Sequence, residues 1–239
     1  MRQGPILLGL FGIVSSQASA FDSQTYVLAI NVQRRMQGSG PLSDTIYGED
    51  AANTGTATVA IDAPGVQATS EVHAENPRQT AFVHSEGDFV NYFTLVPRSG
   101  FDGTRASVEF TITVDGSMMT NCRSMAEVCG SSIWVLARFN AGLADDFAAS
   151  QVFSGDGDGC TDPEDPFRCA SLSRTGTLSG SLPVNRRLPA GGVLFVEAAG
   201  IADSQPMVDG FGQGSISYTA TSSDPVDIIW DLPPPAPKP

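Results

Sequence analysis

Positive charge is scarce in this sequence: 13 Lys and Arg stand against 26 Asp and Glu, a net charge of −13. A surface of that sign repels nucleic-acid phosphates and anionic lipid, so neither is an expected partner. Histidine is scarcer still, with only His73 and His84. No G-x-S-x-G elbow surrounds a serine, and no P-loop, dinucleotide fingerprint or zinc-protease motif occurs. Without a catalytic motif the chain is read as a binding or structural protein, not an enzyme. Aromatic residues make up 8%. No apolar run reaches the ~20 residues that cross a bilayer as a helix, so no transmembrane segment is expected in the mature chain. Helical patterning is confined to Met118 to Val128 and Ala141 to Ala149, both short.

The sequence does begin with a leader. Arg2 precedes an apolar stretch from Ile6 to Val14, and Ala18-Ser19-Ala20 is a small-residue cleavage site. This order predicts a signal peptide over residues 1–20 and a secreted, extracellular or periplasmic protein. Losing Arg2 leaves the mature chain one unit more negative. Hydrophobic residues at 41% suffice for a core, and the length suits one large β domain over 21–231. The end, 232–239, is a proline-rich tail, read as disordered or semi-rigid, with a proline-recognition ligand or a spacer toward an envelope attachment as the alternatives.

Strand signals recur along the mature chain. Tyr26, Leu28, Ile30 and Val32 alternate with Val27, Ala29, Asn31 and Gln33, predicting an opening strand. Val108, Phe110, Ile112 and Val114 alternate with polar residues in the cleanest half-buried pattern. Residues 89–96 are apolar on both faces and read as a central strand, and Ile133-Trp134-Val135-Leu136 as an interior one. A further alternation runs through Ile216, Tyr218 and Ala220. Gly, Pro, Asn and Asp punctuate these runs at 38–41, 62–65, 99–103 and 188–192, each read as a turn. The expected fold is all-β: an antiparallel two-sheet sandwich or jelly roll with long loops.

Four cysteines in an exported chain imply two disulfides. Local pairing, Cys122 with Cys129 and Cys160 with Cys169, is preferred among three connectivities. The second bridge would close a ten-residue loop, worth about 2.5 kcal/mol of unfolded-state entropy. The spacings C-x6-C and C-x8-C fit no common zinc finger.

SGDGDGCTDPEDPFRC, from Ser154 to Cys169, is the densest acidic segment. On a twelve-residue calcium loop Ser154, Asp156, Asp158, Asp162 and Asp165 fall at ligand positions, with Gly159 at the bend. A hard cation needs six to eight oxygens at short range, and alternate residues of a tight turn supply them. Pro163 and the missing flanking helices count against a helix–loop–helix hand. The segment is either a calcium site or a solvated acidic hairpin stapled by a disulfide.

His73 shares a polar face with Gln67, Thr69 and Glu71. His84 precedes Ser85-Glu86-Gly87-Asp88, read as a turn. Glu71, Glu75, Glu86 and Glu109 could furnish paired carboxylates for a glycoside hydrolase, though spacing singles out no pair. Trp134, Trp230, Tyr47, Tyr92 and Tyr218 could stack on sugars in a lectin-like jelly roll. Solvent-facing aromatics would favour glycan binding, and convergent carboxylates in a cleft would favour hydrolysis.

One stretch, RTGTLSGSLPVNRRLPAGGVLFVEAAGIADSQPMVDGFGQGSISYTAT at 174–221, follows FTITVDGSMM at 110–119. Together they resemble exported bacterial β-sandwich proteins that often carry PEP-CTERM sorting tails, although no hydrophobic helix follows the prolines here. The resemblance covers about a quarter of the chain and implies an envelope-associated or extracellular protein. The combined expectation is a secreted structural or adhesive β-sandwich module. Its partners would be envelope or matrix components or glycans, with calcium as a stabilising cofactor.

Overall fold

The computed structural model describes residues 21–50, 53–62, 65–74, 80–120, 129–153, 168–202 and 208–232. In chain order the strands begin with β1 (Phe21–Ala29), β2 (Val32–Ser39), β3 (Leu42–Asp50) and β4 (Asn53–Asp62). Next come β5 (Gly65–Ala74), β6 (Thr80–Pro97), β7 (Arg105–Thr120), β8 (Cys129–Asn140) and β9 (Phe147–Phe153). The last are β10 (Arg168–Pro183), β11 (Arg187–Ala202), β12 (Val208–Ser222) and β13 (Val226–Trp230). Among the described residues no helix forms. The two short helices expected from the sequence are corrected where they are described: Met118, Met119 and Thr120 finish β7, and 147–149 open β9.

All pairings are antiparallel. A front sheet runs β2-β1-β6-β11-β8-β9, with β13 on β6, and a back sheet runs β10-β7-β12-β5-β4-β3. From β5 onward the back sheet holds β5-β12-β7-β10 and the front sheet β6-β11-β8-β9. That is the order of an eight-stranded jelly roll, widened by β3 and β4 on one sheet and β1 and β2 on the other. β1 and β13 lie end to end along the same edge of β6, pairing with 83–91 and 93–97.

Period-2 alternation places the core. Val108, Phe110, Ile112 and Val114 of β7 are buried, as are Phe89, Phe93 and Leu95 of β6. Each such side chain contributes roughly 1.5–3 kcal/mol when removed from water. The interior is graded. Around β13 it is aromatic: Phe93 packs on Trp230 with ring centroids 4.9 Å apart, and Phe139 on Tyr218 at 4.9 Å. Farther along, side chains shrink and the sheets are joined by hydrogen bonds. Ser70 Oγ of β5 donates to the Val196 carbonyl of β11 at 2.7 Å. Ser85 Oγ of β6 donates to the Thr69 carbonyl at 2.6 Å. Gly87, between them and Phe89, faces inward where a Cβ would lie 2.6 Å from Val66 and 2.8 Å from Val59.

Three other local readings change. The alternation through Tyr26 and Val32 is not one strand, because the chain reverses at Ile30 and Asn31. Ile30 adopts φ 54°, costly for a β-branched residue. Its N–H bonds the Phe82 carbonyl at 2.9 Å, and Asn31 Nδ2 bonds the Glu49 carbonyl at 3.1 Å, which hold the turn. Residues 188–192 lie within β11; the turn stands just before, at Asn185 with φ 55°. Ser85-Glu86-Gly87-Asp88 is not a turn but the middle of β6.

Candidate functional site

The continuity of β6 decides where the polar chemistry goes. With Val83, Ser85, Gly87 and Phe89 turned inward, Phe82, His84, Glu86, Asp88 and Val90 alternate onto the outer face of the front sheet. Register then assembles neighbours from other strands. His84 stands opposite Leu28 and Glu197, Glu86 opposite Tyr26 and Phe195, and Asp88 opposite Gln24 and Val193. Trp134 sits beside Glu197, and Arg138 beside Val193.

The result is a contiguous aromatic surface. His84 lies 5.6 Å from Tyr26, 6.4 Å from Phe82 and 5.6 Å from Phe195, centroid to centroid. Trp134 meets Phe195 edge to face at 4.8 Å, and the Arg35 guanidinium covers Tyr26 at 5.3 Å. Trp134 is 37% exposed, a correction to its reading as core: Ile133 and Val135 point inward, so strand alternation sends Trp134 out. Tyr92 shares this face, donating to Asp22 at 2.9 Å beneath the Arg187 guanidinium. Burial pushes the Tyr92 phenol up, and the bond to Asp22 adds to it. Tyr218 and Trp230 instead pack among the core aromatics, and Tyr47 is exposed on the back sheet.

Carboxylates thread the array. His84 bridges Glu86 through Nε2 at 3.2 Å and Glu197 through Nδ1 at 3.5 Å. The hydrogen bond with His84 holds Glu86 below the usual carboxylate range, against burial and helped by the charges of His84 and Arg35. Asp88 moves the other way: burial, reinforced by the Glu86 charge and opposed by Arg35, pushes its carboxyl up to about 6.

Two clefts open beside Asp88. One, about 440 Å³, is lined by Asp88, Val90, Arg138, Asn140, Pro189 and Val193, among others. The other, about 160 Å³, lies between Asp88 and Asp22, Gln24 and Gln37. The larger is lined in part by Gly191, where a Cβ would strike the Phe89 carbonyl. Its volume falls in the range of small-molecule sites.

Ser154, Asp156, Asp158, Asp162 and Asp165 lie outside the described residues, as do Cys122 and Cys160. Cys129 opens β8, and Cys169 on β10 is disulfide-bonded. Among the described residues no three His, Cys, Asp or Glu side chains gather to hold a metal ion, and no helix is long and apolar enough to cross a membrane. His73 meets Asp209 across β5 and β12 on the back sheet, whereas His84 stands on the front sheet. Glu71 and Glu109 stand on that sheet as well, so of the four carboxylates considered only Glu86 belongs to the array, and Glu75 lies outside the described residues. Sequence reading missed Asp88, Glu197 and Phe195. The signal for Asp88 was the 2-residue spacing from His84 through Glu86, which Gly87 disguised; Phe195 and Glu197 join only through the register of β11 on β6. Searches against family models, curated proteins and solved structures found no match.

Proposed function

We propose that the chain is an exported adhesive β-sandwich module that binds saccharides on the outer face of its front sheet. One observation carries this: Tyr26, Phe82, His84, Phe195 and Trp134 form a connected aromatic platform on an outward face, interleaved with Glu86 and Glu197. Aromatic faces stack on the C–H side of a sugar ring, while carboxylates accept from its hydroxyls. The leader and the resemblance to exported β-sandwich proteins support a location outside the cytoplasmic membrane, where such ligands are abundant. The acidic segment at 154–169 would bind calcium and need not touch the ligand.

The test is a glycan panel probed with the mature protein, with calcium and with chelator. Binding to a defined set of glycans is expected. Trp134→Ala and Phe195→Ala should each weaken it about tenfold or more, in keeping with the roughly 1–3 kcal/mol of a stacked aromatic. Wild-type affinity in both variants, with intact melting curves, would refute the assignment of this face.

A further inference from the structure

Asp88 is the one carboxylate on the platform side of β6 for which the fold supplies no hydrogen-bond or ion-pair partner among the described residues. Glu86 and Glu197 both reach His84, and Asp22 takes the Tyr92 hydroxyl. Asp88 instead stands half-buried on the ridge between the two clefts and lines both. Removing a carboxylate from water without a partner is unfavourable, and the raised pKa of Asp88 agrees with that setting. The nearest cation acting on it, Arg35, does not offset burial and the charge of Glu86.

We infer that the cleft beside Asp88 takes the ammonium group of an amino sugar, a reading that rests on the saccharide-binding function proposed above. The surroundings narrow the ligand. Val90, Pro189 and Val193 offer an apolar wall, too poor in oxygen for the six to eight ligands of calcium. Across the cleft stands Arg138, two strand spacings from Asp88 in register, or about 10 Å, with Asn140 two residues along in register with Gly191 and Val90. That gap suits one sugar ring with a hydrogen bond at each side. The polarity also matches: a carboxylate meets the ammonium on one wall, and the Arg138 guanidinium donates to ring or hydroxyl oxygens on the other. Asp146 in the same cleft already accepts from Asn140 Nδ2, which leaves Asp88 as the anchor. The smaller cleft, with Gln24 and Gln37, would receive the adjoining residue of an oligosaccharide. The excess of Asp and Glu, 26 against 13 Lys and Arg, favours arrival of a cationic ligand.

The experiment compares a hexamer of glucosamine with its fully N-acetylated counterpart, titrated calorimetrically into the mature protein at 150 mM salt. Screening over about 8 Å suppresses diffuse attraction at that ionic strength. The free-amine hexamer should bind at least tenfold more tightly. Asp88→Asn should abolish the preference, bringing the two hexamers' affinities to within about twofold of each other. Asp102→Asn, on the exposed connection between β6 and β7 and outside the lining of both clefts, should leave the preference intact. Equal binding of both hexamers, or a preference that survives Asp88→Asn or falls equally in Asp102→Asn, overturns the inference while the saccharide reading stands. Failure of every glycan on the panel to bind sinks both.

Discussion

Replacing Asp88 with Asn is expected to make the protein more stable at neutral pH, and the size of the gain follows from its surroundings. One pKa unit corresponds to about 1.4 kcal/mol of difference between protonation states. A carboxyl at about 6 in the fold and 3.8 when unfolded would therefore cost up to about 3 kcal/mol once ionised. Because its oxygens open onto solvent-filled clefts, screening reduces this to about 1–2 kcal/mol. The sign follows from linkage: a raised carboxyl pKa means that the fold binds the proton more tightly. The favourable contribution is complete below pH 3.8 and is lost as pH rises through about 6. Asn carries no charge at any pH. The charged groups acting on this position are Glu86 on the same strand and Arg35 from β2, with Arg138 on the far wall. Urea unfolding of both proteins between pH 4 and 8 provides the assay. The stability difference should be small at pH 4, grow between about pH 4 and 6, and level off in favour of the variant. A difference that is flat with pH, or a variant less stable at pH 7.5, would refute the account of Asp88 as a desolvated, unpartnered anion.

Two other outcomes test the framework. Gly87→Ala should cost about 1–3 kcal/mol by overpacking, because its Cβ meets Val59 and Val66 from the opposite sheet; urea melts at pH 4 separate this from any change at Asp88. Calcium should raise the melting temperature of the mature protein, and Asp156→Ala combined with Asp158→Ala should remove the increment, whereas equal melts with calcium and chelator would dispose of that site.

What could be read in the sequence was set by local pattern. β7 shows it best: Val108, Phe110, Ile112 and Val114 alternate without a break, and all four are buried. The two-sheet antiparallel class follows from many such runs with turn residues between them. The array was hidden because it depends on contacts distant in sequence. Ser85, Gly87 and Asp88 are turn formers by propensity, yet they extend a strand. Ser85 finds the Thr69 carbonyl on the facing sheet, and Gly87 is where valines of β4 and β5 close in. Ile30 fails the other way, since its alternation continues through a reversal fixed by Phe82 and Glu49. Trp134 looked internal because an unbroken apolar run does not say which face each residue takes.

β6 brings these observations to one place. Paired on both edges and alternating between core and outer face, β6 carries Ser85, Asp88 and Asn91 among its polar residues. Two of the three have structural reasons. Ser85 joins the sheets, and Asn91 donates to Tyr218 at 3.1 Å and to the Leu232 carbonyl at 2.8 Å, closing the seam between β1 and β13. Replacing either would leave a buried partner unsatisfied, at about 1–3 kcal/mol. Asp88 has no such partner among the described residues, and removing its charge should stabilise the fold. A side chain that weakens its own strand while facing a cleft is better accounted for by what enters the cleft than by packing. On that ground Asp88, and not the paired Glu86 or Glu197, is the residue where loss of charge should separate stability from binding.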